Sequence, residues 1–207
     1  MNSEPRPPTR RQRLPVLAVF ALFLGPVVAA WVIFHYLPQW QPKGTVNHGE
    51  LVRPARPLTA VPPAAVDGSS LTDDLVRGRW TLLAVVEGTC DETCQRRLYE
   101  LRQLHTALNK DVARVRRVLL VIDPVANADF AGLAAAFPDL HLARGRAETL
   151  AKWLAQFDMA DGVAPARSGR VFLIDPLGNL MMFYAPDSPA KGILRDLERL
   201  LKISQIG

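Results

Sequence analysis

The longest apolar run in the chain is LPVLAVFALFLGPVVAAWVIFHYL, residues 14–37, and it holds no charged side chain. A helix needs about 20 mostly apolar residues to cross a bilayer, so this stretch predicts a transmembrane helix. Pro15 suits its start, and Pro26 predicts a kink of the kind membrane helices tolerate. Shorter patterns follow downstream. WTLLAVV (80–86) is a continuous apolar run, as expected of a strand buried on both faces. Leu98, Leu101, Leu104 and Leu108 then recur at three- and four-residue steps, the stripe of an amphipathic helix.

The alternation continues to the C-terminus. VRRVLLVID (115–123) predicts a second buried strand, Asp129–Phe137 a short helix and residues around 140–143 a brief strand. AETLAKWLAQF (147–157) predicts an amphipathic helix. RVFLID (170–175) and NLMMFY (179–184) flank a PLG turn and predict a hairpin. SPAKGILRDLERLLKI (188–203) predicts a closing helix with Pro189 in its first turn. The order is β-α-β-α-(β)-α-β-β-α. Strands joined through helices must run parallel, and the hairpin adds an antiparallel edge. The expected class is therefore α/β, a thioredoxin-like mixed sheet flanked by helices, with one N-terminal transmembrane helix.

Charge sets the expected orientation. Arg6, Arg10, Arg11 and Arg13 precede the span against one acid, Glu4, and Lys43 is the only basic residue between the span and Arg53. The positive-inside rule then predicts a cytoplasmic N-terminus and a single-pass inner-membrane protein with its C-terminal domain in the periplasm. The apolar run exceeds the usual core of a cleaved signal peptide, which favours an uncleaved anchor. The expected divisions are a basic cytoplasmic tail (1–13), the anchor (14–37), a Pro-rich tether (38–66) and a thioredoxin-like periplasmic domain (67–207). Six prolines between Pro38 and Pro63 make the tether extended and semi-rigid. The formal net charge of +5 owes much to the N-terminal arginines, and the other cations are interleaved with acids. Nucleic acid is thus not an expected partner, whereas inner-membrane lipid is.

The candidate chemistry is concentrated in EGTCDETCQRRL (87–98), which holds the only two cysteines, Cys90 and Cys94. They follow the first strand and open the next helix, the end of an open α/β sheet where sites gather. Three uses compete: a structural disulfide, a redox dithiol and a soft-metal clip. Residues four apart on a regular helix have Cβ atoms about 5–6 Å apart, too far for a disulfide. A bond therefore requires Cys90 to lie off the helix, with local rearrangement, and a small loop gives little stabilisation. As a dithiol, the pair gains from the helix N-terminus, is opposed by Asp91 and Glu92, and is partly helped by Arg96 and Arg97. As a clip, two thiolates select Cu(I) but need a further ligand. Exchange or metal transfer requires both sulfurs to face outward at the rim of the domain.

The C-x-x-x-C motif, VIDPVANADFAGLAAAF (121–137) and VFLIDPLGNL (171–180) together resemble the Sco/SenC proteins, membrane-anchored thioredoxin-fold factors of cytochrome c oxidase copper-centre assembly. The resemblance spans roughly residues 75–203. It implies that Cys90 and Cys94 are both the catalytic pair and ligands for Cu(I), with a respiratory oxidase subunit or a copper carrier as partner. The chain departs from the family at one place. Sco proteins carry a copper-ligating histidine about five residues before the Phe of the hairpin strand, where this chain reads APARSGRVF and the place falls on Arg167 or a neighbour. A cation there repels copper, and it can pair with Asp91, Glu92 or a thiolate. His35 lies in the span, His105 about 16 Å along the helix at 1.5 Å per residue, and His141 at the opposite sheet end, while His48 depends on how its segment folds. Met159, Met181 and Met182 suit core packing. Pro165 stands several residues early for the proline of a thioredoxin site, and Asp123-Pro124 and Asp175-Pro176 suit turns. GELVRPARPL (49–58) reads as an extended segment that packs across the domain or meets a partner. The expected function is an assembly factor acting as dithiol reductant or transient Cu(I) binder. The alternatives are a scaffold with structural cysteines and a tethered oxidoreductase unrelated to copper.

Overall fold

The computed structural model describes residues 10–37, 47–59, 65–66, 69–70, 75–123, 129–204 and 206. The chain divides into two compact units, Met1–Thr45 and Val46–Gly207. The first unit contains helix α1, Arg10–Tyr36. Pro15 falls inside it rather than at its start, because Arg10, Arg11, Gln12 and Arg13 are good helix formers and extend it backwards. Its segment Ala18–Tyr36 is, among the described residues, the one stretch long and apolar enough to cross a membrane, and its side chains are unburied. His35 is used locally, with Nδ1 3.2 Å from the Trp31 carbonyl and its ring stacked on the indole.

The second unit is built on one sheet. Its elements are β1 (Glu50–Pro57), β2 (Ala65–Val66), β3 (Ser69–Ser70), β4 (Trp80–Glu87), α2 (Glu92–Ala107), β5 (Val115–Ile122), α3 (Phe130–Ala136), β6 (Leu140–Gly145), α4 (Ala147–Leu154), β7 (Val171–Ile174), β8 (Asn179–Tyr184) and α5 (Ala190–Ile203). The strand order is β1-β8-β7-β4-β5-β6-β2-β3. β4 runs parallel to β5, from Trp80 opposite Val115 to Glu87 opposite Ile122, and β5 runs parallel to β6. β7 pairs antiparallel with β4 and with β8. This is the expected thioredoxin-like mixed sheet. Pro189 caps α5 from just outside instead of sitting in its first turn.

Side chains alternate across the sheet with the two-residue period of a strand. Leu83 and Val85 of β4 join Val118, Leu120 and Ile122 of β5 beneath Leu150 and Trp153 of α4. Trp80 and Leu82 instead meet Leu101 and Leu104 of α2 and Ile193, Leu197 and Leu201 of α5. Ala84, Leu119 and Val121 continue that face under Leu98 and Cys90. Both faces of the central strands are covered, so β4 lies in a dry slab with its carboxyl end open.

Two features lie beyond the hydrophobic pattern. Residues 50–57, expected within the tether, form the edge strand β1 on β8, with its register shifting between Leu51 and Arg56. An edge is where a strand tolerates Pro54 and Pro57. The other residues of the expected tether lie partly outside the described ones. Asp196 of α5, 1% exposed, secures the start of β1 by accepting hydrogen bonds from the backbone N–H groups of His48 (2.8 Å) and Gly49 (3.0 Å). The fit leaves no room for a Cβ, which at Gly49 would lie 2.6 Å from the Tyr184 ring and at Gly192 2.9 Å from His48. Burial, and then the charge of Asp196, push the Tyr184 phenol above its ordinary pKa. At the opposite sheet end, His105 Nε2 lies 2.8 Å from the Val115 carbonyl, to which it donates. Burial, with Arg117 adding to it, outweighs the opposing Val115 hydrogen bond and the smaller pull of Asp139 and holds the imidazole below its ordinary pKa.

Asp196→Ala strands two backbone donors, and at about 1–3 kcal/mol for an unsatisfied buried group the loss should be on the order of 3 kcal/mol in urea unfolding. Glu198→Ala on the exposed face of the same helix should change stability by less than about 0.5 kcal/mol. His105 gives a pH signature. Its folded pKa is depressed, so its contribution is present above the unfolded value near 6.5 and is lost as pH falls through the folded value. Stability should decline more steeply below about pH 6.5 in the wild type than in His105→Gln; equal slopes would refute this account.

Candidate functional site

The site begins where β4 ends. Asp91 is the N-cap of α2, with extended backbone, and its side chain accepts the Cys94 N–H at 2.8 Å. Its carbonyl accepts the Gln95 N–H at 2.9 Å. The cap divides the cysteines, with Cys94 in the first helical turn and Cys90 on the connecting loop. The Cα atoms lie 5.2 Å apart and a Cys90–Cys94 disulfide is present, within the usual range for such bridges. The bond thus forms across the cap without disturbing the helix, so the rearrangement expected from helical spacing is not required. Gln95 Nε2 donates to the Cys90 carbonyl at 3.2 Å and steadies the loop from inside the first turn.

The two sulfurs do not share one exposure. Cys90 is 8% exposed and packs with Leu98, Leu119, Val121 and Phe137. Cys94 is only partly buried. The expectation that both face outward therefore holds for Cys94 alone, because Cys90 closes the end of a core cluster. Cys94 lines a cavity of about 650 Å³, together with Glu87, Asp91, Arg97, Arg167 and Arg170. Cys90 lines a smaller one of about 400 Å³, beside Phe130 and Phe137, in which Asp129 is the one charged residue among the described lining residues.

Arg97 fixes one wall of the larger cavity. Its guanidinium donates to the carbonyls of Ser188 (2.8 Å) and Ala185 (3.2 Å) and to Glu100 (3.0 Å), tying α2 to the segment before α5. Arg170 pairs with Asp161 and lies 4.9 Å from the Phe183 ring centroid. Arg167, in the short helical turn Pro165–Arg167, donates through Nε to Glu87 at 2.9 Å. Its partner is thus Glu87 instead of Asp91 or Glu92. The bond and the charge of Arg167 hold the Glu87 carboxyl below its ordinary value, and Glu87 raises Arg167 in turn. With side chains 73% and 48% exposed, the pair opens to solvent at little cost. Glu87 escaped the sequence reading although its signal was present, as a charged residue ending an apolar strand.

The remaining candidates serve structure. Asp175 accepts from the backbone N–H groups of Leu177 and Asn179 and shapes the PLG turn, and Asp123 accepts from Ala147 at the start of α4. Met182 is core, Met181 packs against its cluster and Met159 against the one on the other face of the sheet, and Pro165 is buried. His105 and His141 line a cavity at the other sheet end. His48 is held against Asp196. Among the described residues, no three His, Cys, Asp or Glu side chains gather as a metal site. With a cation where the third ligand would lie, the three-ligand copper site does not fit these residues.

No curated protein matches the chain. Solved structures share its fold. ScoI of Bradyrhizobium japonicum with copper bound is 21% identical, covering 68% of this chain and 99% of its own, with a TM-score of 0.51. BsSco, a Sco-family cytochrome c oxidase assembly protein described with a disulfide switch, is 16% identical, covering 72% and 96%, with a TM-score of 0.55. A thiol:disulfide interchange protein of Bacteroides sp. is 12% identical, covering 73% and 91%, with a TM-score of 0.52. At such identities the likeness is one of fold. Residues 80–204, more than half of the chain, match the description "Transmembrane-like, thioredoxin-like, C-terminal domain", and to that family the chain belongs.

Proposed function

We propose that this protein is a membrane-anchored thiol–disulfide exchange factor that reduces a cysteine pair on a partner during cytochrome c oxidase copper-centre assembly. One observation carries the reading: a disulfide across the N-cap of α2, at the carboxyl end of β4, opens through Cys94 onto a cavity large enough for a visiting peptide. A bridge four residues long restricts the unfolded chain little, so its value is chemical. The disulfide switch of BsSco and the interchange activity named for the Bacteroides protein support the same use of the fold. The oxidase subunit or copper carrier as partner, the periplasmic placement of the domain and the cytoplasmic N-terminus belong to this proposal. They are supported by the N-terminal arginines and by α1.

The second reading takes Cu(I) as cargo on the two reduced sulfurs, and the copper-bound ScoI favours it. Arg167 opposes it, since a cation in the cavity that Cys94 lines favours a thiolate and disfavours a metal ion. In detergent, the reduced full-length protein should convert an oxidised peptide bearing a cysteine pair to its dithiol, and Cys90→Ser/Cys94→Ser should be inactive. Restoration of oxidase activity in a deletion strain by that double variant would refute exchange. Copper retained by the reduced protein against a competing Cu(I) chelator, and lost in the double variant, would establish the cargo reading.

Arg167 supplies a separate test. Arg167→Ala should leave the melting temperature unchanged, because the pair with Glu87 is exposed. It should also raise the pKa of the reactive thiol, by removing a cation and freeing a carboxylate. Alkylation with iodoacetamide across pH should show a rightward shift at low salt that shrinks at high salt. A leftward shift would contradict the arrangement.

A further inference from the structure

We propose that the two cysteines have unequal parts in exchange: Cys94 is the sulfur that bonds to the partner, and Cys90 is the one that resolves the mixed disulfide. This rests on the exchange reading and adds an order to it. Thiol–disulfide exchange proceeds by attack of a thiolate on a sulfur, so it demands access to that sulfur and a setting that tolerates negative charge. Only Cys94 has both.

Access differs first. Cys90 sits at 8% exposure among Leu98, Leu119 and Phe137, and a visiting sulfur can approach it only through the smaller cavity of about 400 Å³. Cys94 stands in the first turn of α2, where its side chain lines the cavity of about 650 Å³. The electrostatic setting differs in the same sense. Around Cys94, the described lining holds four arginines, Arg97 and Arg167 among them, and four acids, Glu87 and Asp91 among them, and Arg167 is held by Glu87 through an exposed contact that can open. Around Cys90, the lining is apolar apart from the Asp129 carboxylate, Thr89 and Gln95, and no cation is among the described lining residues. A thiolate is better tolerated in the first setting, where cations are within the lining, than in the second, where the one described charge is a carboxylate.

The steps balance as follows. A second dithiol protein first reduces the Cys90–Cys94 bond and is itself oxidised. Cys94, as thiolate, then attacks one sulfur of the partner's disulfide. The partner's S–S bond breaks, a Cys94–partner bond forms, and the partner's other sulfur leaves as a thiolate that takes a proton from water. Cys90 next loses its proton to solvent and attacks the Cys94 sulfur. The mixed disulfide breaks, the partner's first sulfur leaves as a thiolate, and the Cys90–Cys94 bond is restored. Two electrons pass to the partner, and the product is the disulfide state of this structure.

The experiment uses full-length single variants, reduced in detergent, with an aromatic disulfide as probe and the released aromatic thiolate as readout. Cys90→Ser, which retains Cys94, should react at least about tenfold faster than Cys94→Ser, the span expected when thiolate fraction and access both differ. In denaturant the two should converge, which separates the effect of the fold from the intrinsic reactivity of the thiols. In the wild type, the trapped adduct should map to the peptide containing Cys94. Cys94→Ser reacting as fast as Cys90→Ser or faster would overturn the order while leaving exchange intact. Reaction by neither variant, with no internal disulfide re-formed in the wild type, would overturn both.

Discussion

A disulfide between residues four apart is incompatible with the interior of a helix and compatible with its N-terminus, and the site depends on that constraint. Asp91 resolves it. Its extended backbone takes Cys90 out of the helix, and its side chain binds the Cys94 N–H and keeps Cys94 in the first turn. The same bond has an electrostatic consequence, because it occupies an amide that would otherwise help to stabilise a thiolate. Under the proposed exchange, positive potential at Cys94 would have to come from side chains, and Arg97 and Arg167 line the same cavity.

The fold places this cap at a working position through ordinary packing. β4 is covered on both faces, by α4 on one and by α2 and α5 on the other, so the open place along it is its carboxyl end. Leu98, Leu101 and Leu104 seat α2 on the sheet and aim its first turn at that end. Arg97, on the same helix, bonds the segment before α5 and fixes the distance across the cavity. Core and candidate site are thus built from one helix, whose apolar stripe carries stability while its N-terminal turn holds the disulfide.

Much of this was legible in the chain. The strands at 80–87 and 115–122, the leucine stripe of α2 and the PLG hairpin follow from periodicity, and the cysteines stand at the junction of two such patterns. Legibility fails where structure depends on contacts distant in sequence. Pro54 and Pro57 argue against a strand in general and are tolerated only because β1 lies at an edge. Asp196 falls in a charged amphipathic helix, and nothing local distinguishes it from its exposed neighbours; its burial is decided by His48 and Gly49, 148 and 147 residues away. Arg117, in an otherwise apolar strand, is 1% exposed with its acid partner Asp139 at 3.9 Å. The unequal burial of Cys90 and Cys94 depends on Phe137, which a reading of the motif alone does not bring near.

Replacing one side chain redirects what such a fold can do. A neutral imidazole beside two thiolates completes a soft-metal site, whereas a guanidinium in the same neighbourhood supplies fixed positive charge and no lone pair. Arg167 does not stand unmatched, since Glu87 holds it at 2.9 Å and the pair is neutral as a whole. While the sulfurs are bonded they carry no charge, and the salt bridge is the favoured partnership. In the proposed exchange, reduction leaves a thiolate lining the same cavity as Arg167, and because both salt-bridge partners are exposed the guanidinium can turn to it at little cost. An exposed salt bridge is weak evidence for stability, and under the proposed exchange that weakness is what lets this one answer to the redox state of Cys94.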